Sequence, residues 1–90
     1  MSSADAYEEI IKSYENSLTA VENRINYLIE NRHTAMVNFE SVEKFESITS
    51  RIDVLRVEKF ELMNTIGHMK DYVNTVRERE ANSNGDTLGQ

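Results

Sequence analysis

The chain is 90 residues long, carries 10 Lys+Arg against 16 Asp+Glu for a formal charge of −6, and holds three Gly but no Cys, Pro or Trp. Without cysteine there is no disulfide-stapled domain, zinc finger or redox Cys-x-x-Cys site, and an acidic surface repels the phosphates on which nucleic-acid affinity rests. No apolar stretch approaches the ~20 residues that cross a bilayer, and no secretory leader is expected at the amino terminus.

Residues 1–6 are small and polar and are expected to fray, with Ser3 as a cap and Asp5 in the favourable first turn of the helix that follows. Tyr7, Ile11, Tyr14, Leu18, Val21, Ile25 and Leu28 then recur at alternating steps of four and three. At 100° per residue these positions, with Ile10 and Ile29, fall within an arc of roughly 100°. Lys12, Asn16, Asn23 and Glu30 occupy the opposite side. The spacing predicts an amphipathic helix over about residues 5–32.

The pattern breaks at Arg32, which falls where the next core residue belongs. The pattern stays broken over residues 31–40, with a connector expected over about residues 33–39; Asn31, Thr34 and Asn38 can cap or turn, and Met36, Val37 and Phe39 plug the hairpin end. A second run follows: Phe45, Ile48, Ile52, Leu55, Lys59, Leu62, Ile66, Met69, Val73 and Val76. It predicts a helix over about residues 40–79, and its drift of about 20° per heptad on an ideal helix calls for left-handed coiled-coil packing. Ser50 and Asp53 in the cluster Ser47, Thr49, Ser50, Asp53 have the spacing of a capping box, so a break near residue 49, giving three helices, is the alternative. Residues 81–90 hold no apolar period and are expected to form a mobile, disordered tail.

The fold class is therefore all-α: an antiparallel, coiled-coil-like helical hairpin with a longer second helix, in one domain spanning residues 1–80. A first helix about 40 Å long and a second approaching 60 Å leave the far end of the second unpaired. With the fold at residues 33–39, Tyr7 is expected opposite Ile66, and Met69, Val73 and Val76 overhang. Leaving such side chains wet forfeits about 1.5–3 kcal/mol each. Val42, Phe60 and Met63 widen the stripe to about 200°, more than one facing helix covers. Both features point to a homodimer that forms a four-helix bundle, with Leu62, Ile66, Met69, Val73 and Val76 at the oligomer interface.

Lys59 stands in the seam and is a register-setting candidate; alternatively its stem lies along the seam and its ammonium reaches an acid on the neighbouring helix. Phe60, Met63, Gly67 and Lys70 form a second row at steps of three and four and are the candidate partner-binding residues. Val54, Val57, Tyr72 and Tyr27 point away from the seam. Charged pairs such as Glu8/Lys12, Glu40/Lys44 and Asp53/Arg56 have the spacing of solvated helix decoration. His33 and His68 are the only imidazoles, and His68 with Asp71 is too small a set for a metal centre. No nucleophile motif, phosphate loop or metal-binding helix motif is present. No catalytic residue, metal or cofactor is expected.

In size and two-helix shape the chain is similar to the helical-hairpin substrates of type VII secretion. It lacks their Trp-x-Gly turn, its connector reading His33-Thr34-Ala35-Met36-Val37-Asn38, and their Tyr-x-x-x-Asp/Glu signal, Val76 standing four residues after Tyr72. No family is assigned. The expected function is a non-enzymatic, cytoplasmic protein-interaction module (adaptor, small chaperone or assembly factor). It acts as a homo-oligomer on a protein partner, without direct nucleic-acid or membrane binding. The alternative is an acidic inhibitor that imitates DNA toward a nucleic-acid-binding protein, of the kind a phage or mobile element encodes.

Overall fold

A computed structural model describes the backbone of residues 2–88 and the side chains of residues 2–82. Two helices, α1 (Ser3–Val37) and α2 (Val42–Leu88), run antiparallel as an extended hairpin of 75 × 17 × 15 Å. Its radius of gyration, 21.0 Å, far exceeds the ~12 Å of a compact domain of this length. Each residue layer is thus only two helices thick, and stability rests on one seam.

α1 begins at Ser3, two residues before the expected start and inside the segment expected to fray, where Ala4 is fully buried. Ser2, not Ser3, is the cap: the Asp5 amide donates to the Ser2 hydroxyl, and the Ser2 amide donates back to the Asp5 carboxylate, closing a capping box. α1 also runs past residue 32, through the segment expected to be a connector. Arg32 does not break the helix, because its guanidinium leaves the seam. It lies 5.6 Å from the Phe45 ring centre and donates to the Thr49 hydroxyl at 3.2 Å, while Ala35, one helical turn on, is 2% exposed and carries the seam forward.

The turn occupies only residues 38–41. The Phe39 amide donates to the Met36 carbonyl and the Glu40 amide to the Ala35 carbonyl, the paired bonds of a Schellman ending. Such an ending requires a left-handed residue, usually Gly; here Phe39 takes it, with φ of 54°. Ser41 then caps α2 by accepting the Lys44 amide on its hydroxyl at 3.2 Å. α2 is continuous through residues 47–50, so the three-helix alternative is not formed. Ser50 lies inside the helix, and buried Ile48 and Ile52 on either side hold that stretch against α1. The backbone of α2 continues as helix to Leu88, through residues 81–88 of the segment expected to be a disordered tail; residues 89 and 90 of that segment lie outside the described residues.

Moving a hairpin's turn along the chain shifts the facing residues by twice as much. Tyr7 therefore meets Tyr72, with ring centres 4.6 Å apart, rather than Ile66. Two apolar clusters fill the seam. Near the turn, Val21, Ile25, Leu28, Ala35, Ile48 and Ile52 pack with Ile29, Leu55 and Leu62. Toward the open end, Ala4, Ile11, Ile66 and Val73 pack with Tyr7, Leu18, Met69 and Val76.

Candidate functional site

α2 is the longer helix, but the overhang expected at Met69, Val73 and Val76 does not exist. Met69, Val73 and Val76 are covered by Ala4, Tyr7 and Ile11 of the same chain, and Val73 is only 5% exposed. Leu62 and Ile66 likewise face α1. The ground for placing an oligomer interface on these five residues was a turn set too early, and it falls with that turn. Lys59 sits half-buried in the seam, and its ammonium reaches Glu22 of α1 at 3.7 Å. It follows the second of its two readings, a stem along apolar neighbours and a head at the edge.

The width of the α2 stripe does leave apolar surface uncovered. Val54, Val57, Phe60 and Met63 follow one another at steps of three and are all half or more exposed, Phe60 at 64%. Gly67 continues the row, and a side chain added there meets nothing within 4 Å. Its glycine is therefore not explained by close approach of α1. Lys70 pairs loosely with Glu15 at 3.7 Å and stays largely exposed. The four candidate residues thus share one outward face, clear of the hairpin's own core.

The turn carries a second apolar surface that the sequence reading assigned wrongly. Met36, Val37 and Phe39 do not plug the hairpin end. Phe39 is 95% exposed, and Met36, Val37 and Val42 around it are each about 60% exposed or more. The left-handed backbone at residue 39 points the ring away from both helices. Beside it a shallow groove of about 250 Å³ is lined by Ala35, Met36, Val42 and Phe45, with Glu40 and Ser41 at its rim. A second groove, of about 380 Å³, lies along the seam between Arg24, Leu28, Arg51 and Val54. The signal that could have found the tip was the missing Gly: with Asn38 spent on the helix end, a bulky residue had to take the left-handed position.

The tightest ion pairs across the hairpin lie at the open end. Arg77 donates to Glu8 at 2.6 Å and to Asp5 at 3.4 Å. The Ser2 amide, the Ser2 hydroxyl and then Arg77 hold the Asp5 carboxyl below its ordinary value, while Glu8 chiefly raises Arg77. Glu8 therefore pairs across the hairpin rather than with Lys12, whereas Glu40 and Lys44 do meet, at 2.8 Å. His33 and His68 are both exposed. Among the described residues, no group of three or more His, Cys, Asp or Glu is placed to hold a metal, and no helix is long and apolar enough to cross a membrane. Comparison with family models, curated proteins and solved structures finds no match.

Proposed function

We propose that this chain is a non-enzymatic helical interaction module, an adaptor, small chaperone or assembly factor that works as a homo-oligomer and engages a protein partner with the tip of its hairpin. One observation carries the reading: Phe39 is held almost fully in solvent by a backbone conformation that costs an L-residue about 1–2 kcal/mol. Glycine would close the same turn without that cost. Strain retained at an exposed aromatic favours a role for the ring outside the hairpin. The partner is a protein with an apolar recess, since Met36, Val37 and Val42 surround the ring with more apolar surface.

The test is a pull-down from source-cell lysate with wild type, Phe39→Gly and Phe60→Asp as baits, at two salt concentrations. Phe39→Gly suits the turn, so helicity by circular dichroism is retained while the partner is lost. A partner that survives Phe39→Gly refutes the tip. Retention that collapses steeply as salt rises would instead favour the acidic imitation of nucleic acid, because apolar docking responds weakly to ionic strength.

A further inference from the structure

We infer that two copies of this chain pair antiparallel through the outward face of α2, about an axis between Glu61 and Leu62. The inference rests on the self-association in the reading above but uses a different surface from Phe39. The row Phe60, Met63, Gly67 and Lys70 extends in both directions at steps of three and four, to Asp53 and Arg56 on one side and to Asn74 and Arg77 on the other. All eight positions are exposed. This row is turned about 100° from the seam that meets α1, so α2 can touch α1 and a second α2 at once, as a helix of a four-helix bundle does.

Charge selects the orientation. The half of the face toward the turn carries Glu46 and Asp53, neither of which has an ion-pair partner among the described residues. The half toward the open end carries Lys70 and Arg77. In the antiparallel register Asp53 meets Lys70, Glu46 meets Arg77 and Phe60 meets Met63, and every pair occurs twice, as an isologous contact requires. Arg56 then lies over Gly67, where a side chain would meet nothing within the hairpin. A parallel register instead sets Asp53 on Asp53 and Lys70 on Lys70, like charges facing one another. Lys70 and Arg77 already reach acids of α1 at the edge of this face, Lys70 at 3.7 Å and Arg77 at 2.6 and 3.4 Å, and each leaves about half its side chain free for a second acid.

Surface area permits this pairing. The chain exposes 6790 Å², against ~5400 Å² for a compact monomer of its mass, as its extended shape requires. A pairing of standard size would cover ~800 Å² of it on each partner. An antiparallel pair also places the two Phe39 tips at opposite ends of one rod, about 70 Å apart at 1.5 Å per residue.

The test uses the full chain, whose lack of cysteine makes directed cross-linking clean. Thr49→Cys and Asn74→Cys chains are mixed and oxidised, and the mass of the wild type is measured by sedimentation at up to hundreds of micromolar. The expected result is a dimer whose disulfides join residue 49 to residue 74. Asp53→Lys and Lys70→Asp each weaken the dimer about tenfold, since each turns two attractive pairs per dimer into repulsive ones, and the double exchange restores it. Circular dichroism checks that each variant stays helical. A monomer at these concentrations overturns both this inference and the homo-oligomeric part of the proposed function. A dimer that links 49 to 49, or that the double exchange fails to restore, overturns the antiparallel α2 face alone. Neither outcome bears on Phe39.

Discussion

At the open end of the hairpin two helices that no peptide bond joins are held side by side. At the other end the chain itself makes the join. The open end dedicates its side chains to closure: Tyr7 packs against Tyr72 with the rings tilted at 49°, the Ser2–Asp5 box fixes the start of α1, and Arg77 ties Asp5 and Glu8 to α2. Ala4 there is fully buried. At the turn, backbone hydrogen bonds and the capping hydroxyl of Ser41 complete the connection. The apolar side chains at the tip itself, Met36, Val37, Phe39 and Val42, are released from closure and stand in solvent. The difference teaches that covalent continuity at the tip makes side-chain ties unnecessary there and leaves its apolar side chains free to project.

The comparison can be broken at its strongest point first. Ile52 is fully buried in the cluster nearest the turn. Ile52→Ala lowers global stability by about 2–5 kcal/mol, read as a fall in the urea midpoint without a change of slope. A negligible shift would mean that the seam does not hold the hairpin. Phe39→Gly acts oppositely, because it removes a side chain from a left-handed position. It raises stability by about 1 kcal/mol in the same titration, and a loss would show that the ring packs rather than projects.

The smallest effect lies at the open end and depends on pH. Asp5 titrates below its ordinary 3.8 in the folded chain. Its contribution is therefore complete above that value and disappears as the pH falls through the lower folded one. Amide hydrogen exchange in the first turns of α1 is expected to quicken, relative to the turn end, on acidification through this range, and Ser2→Ala, which removes the hydroxyl but keeps the amide donor, is expected to remove only part of that difference.

Much of this architecture was legible in the residues. The alternating steps from Tyr7 to Leu28 and from Phe45 to Val76 define two helices and the faces they bury, because burial of a stripe demands that period whatever the partner. The fate of Lys59 was legible as one of two readings, since a long stem with a charged head has few options in a seam. The turn was not legible. Arg32 looks like a break, yet its aliphatic stem tolerates the seam while its guanidinium finds Phe45 and Thr49, partners seventeen or fewer residues away that only the fold brings near.

That single displacement carried the rest with it. A turn centred a few residues later slides Ala4, Tyr7 and Ile11 over Met69, Val73 and Val76, and a supposed interface becomes interior. The exposed row from Phe60 to Lys70 survived the change, since the width of a helix's apolar face does not depend on register. By itself, then, the sequence determined that there are two amphipathic helices and that α2 has more apolar breadth than one neighbour covers. Only the tertiary structure decided which residues face each other and that Phe39 points outward. Periodicity is a property of each helix alone, whereas pairing depends on where the chain reverses, and here no glycine or proline marks that place.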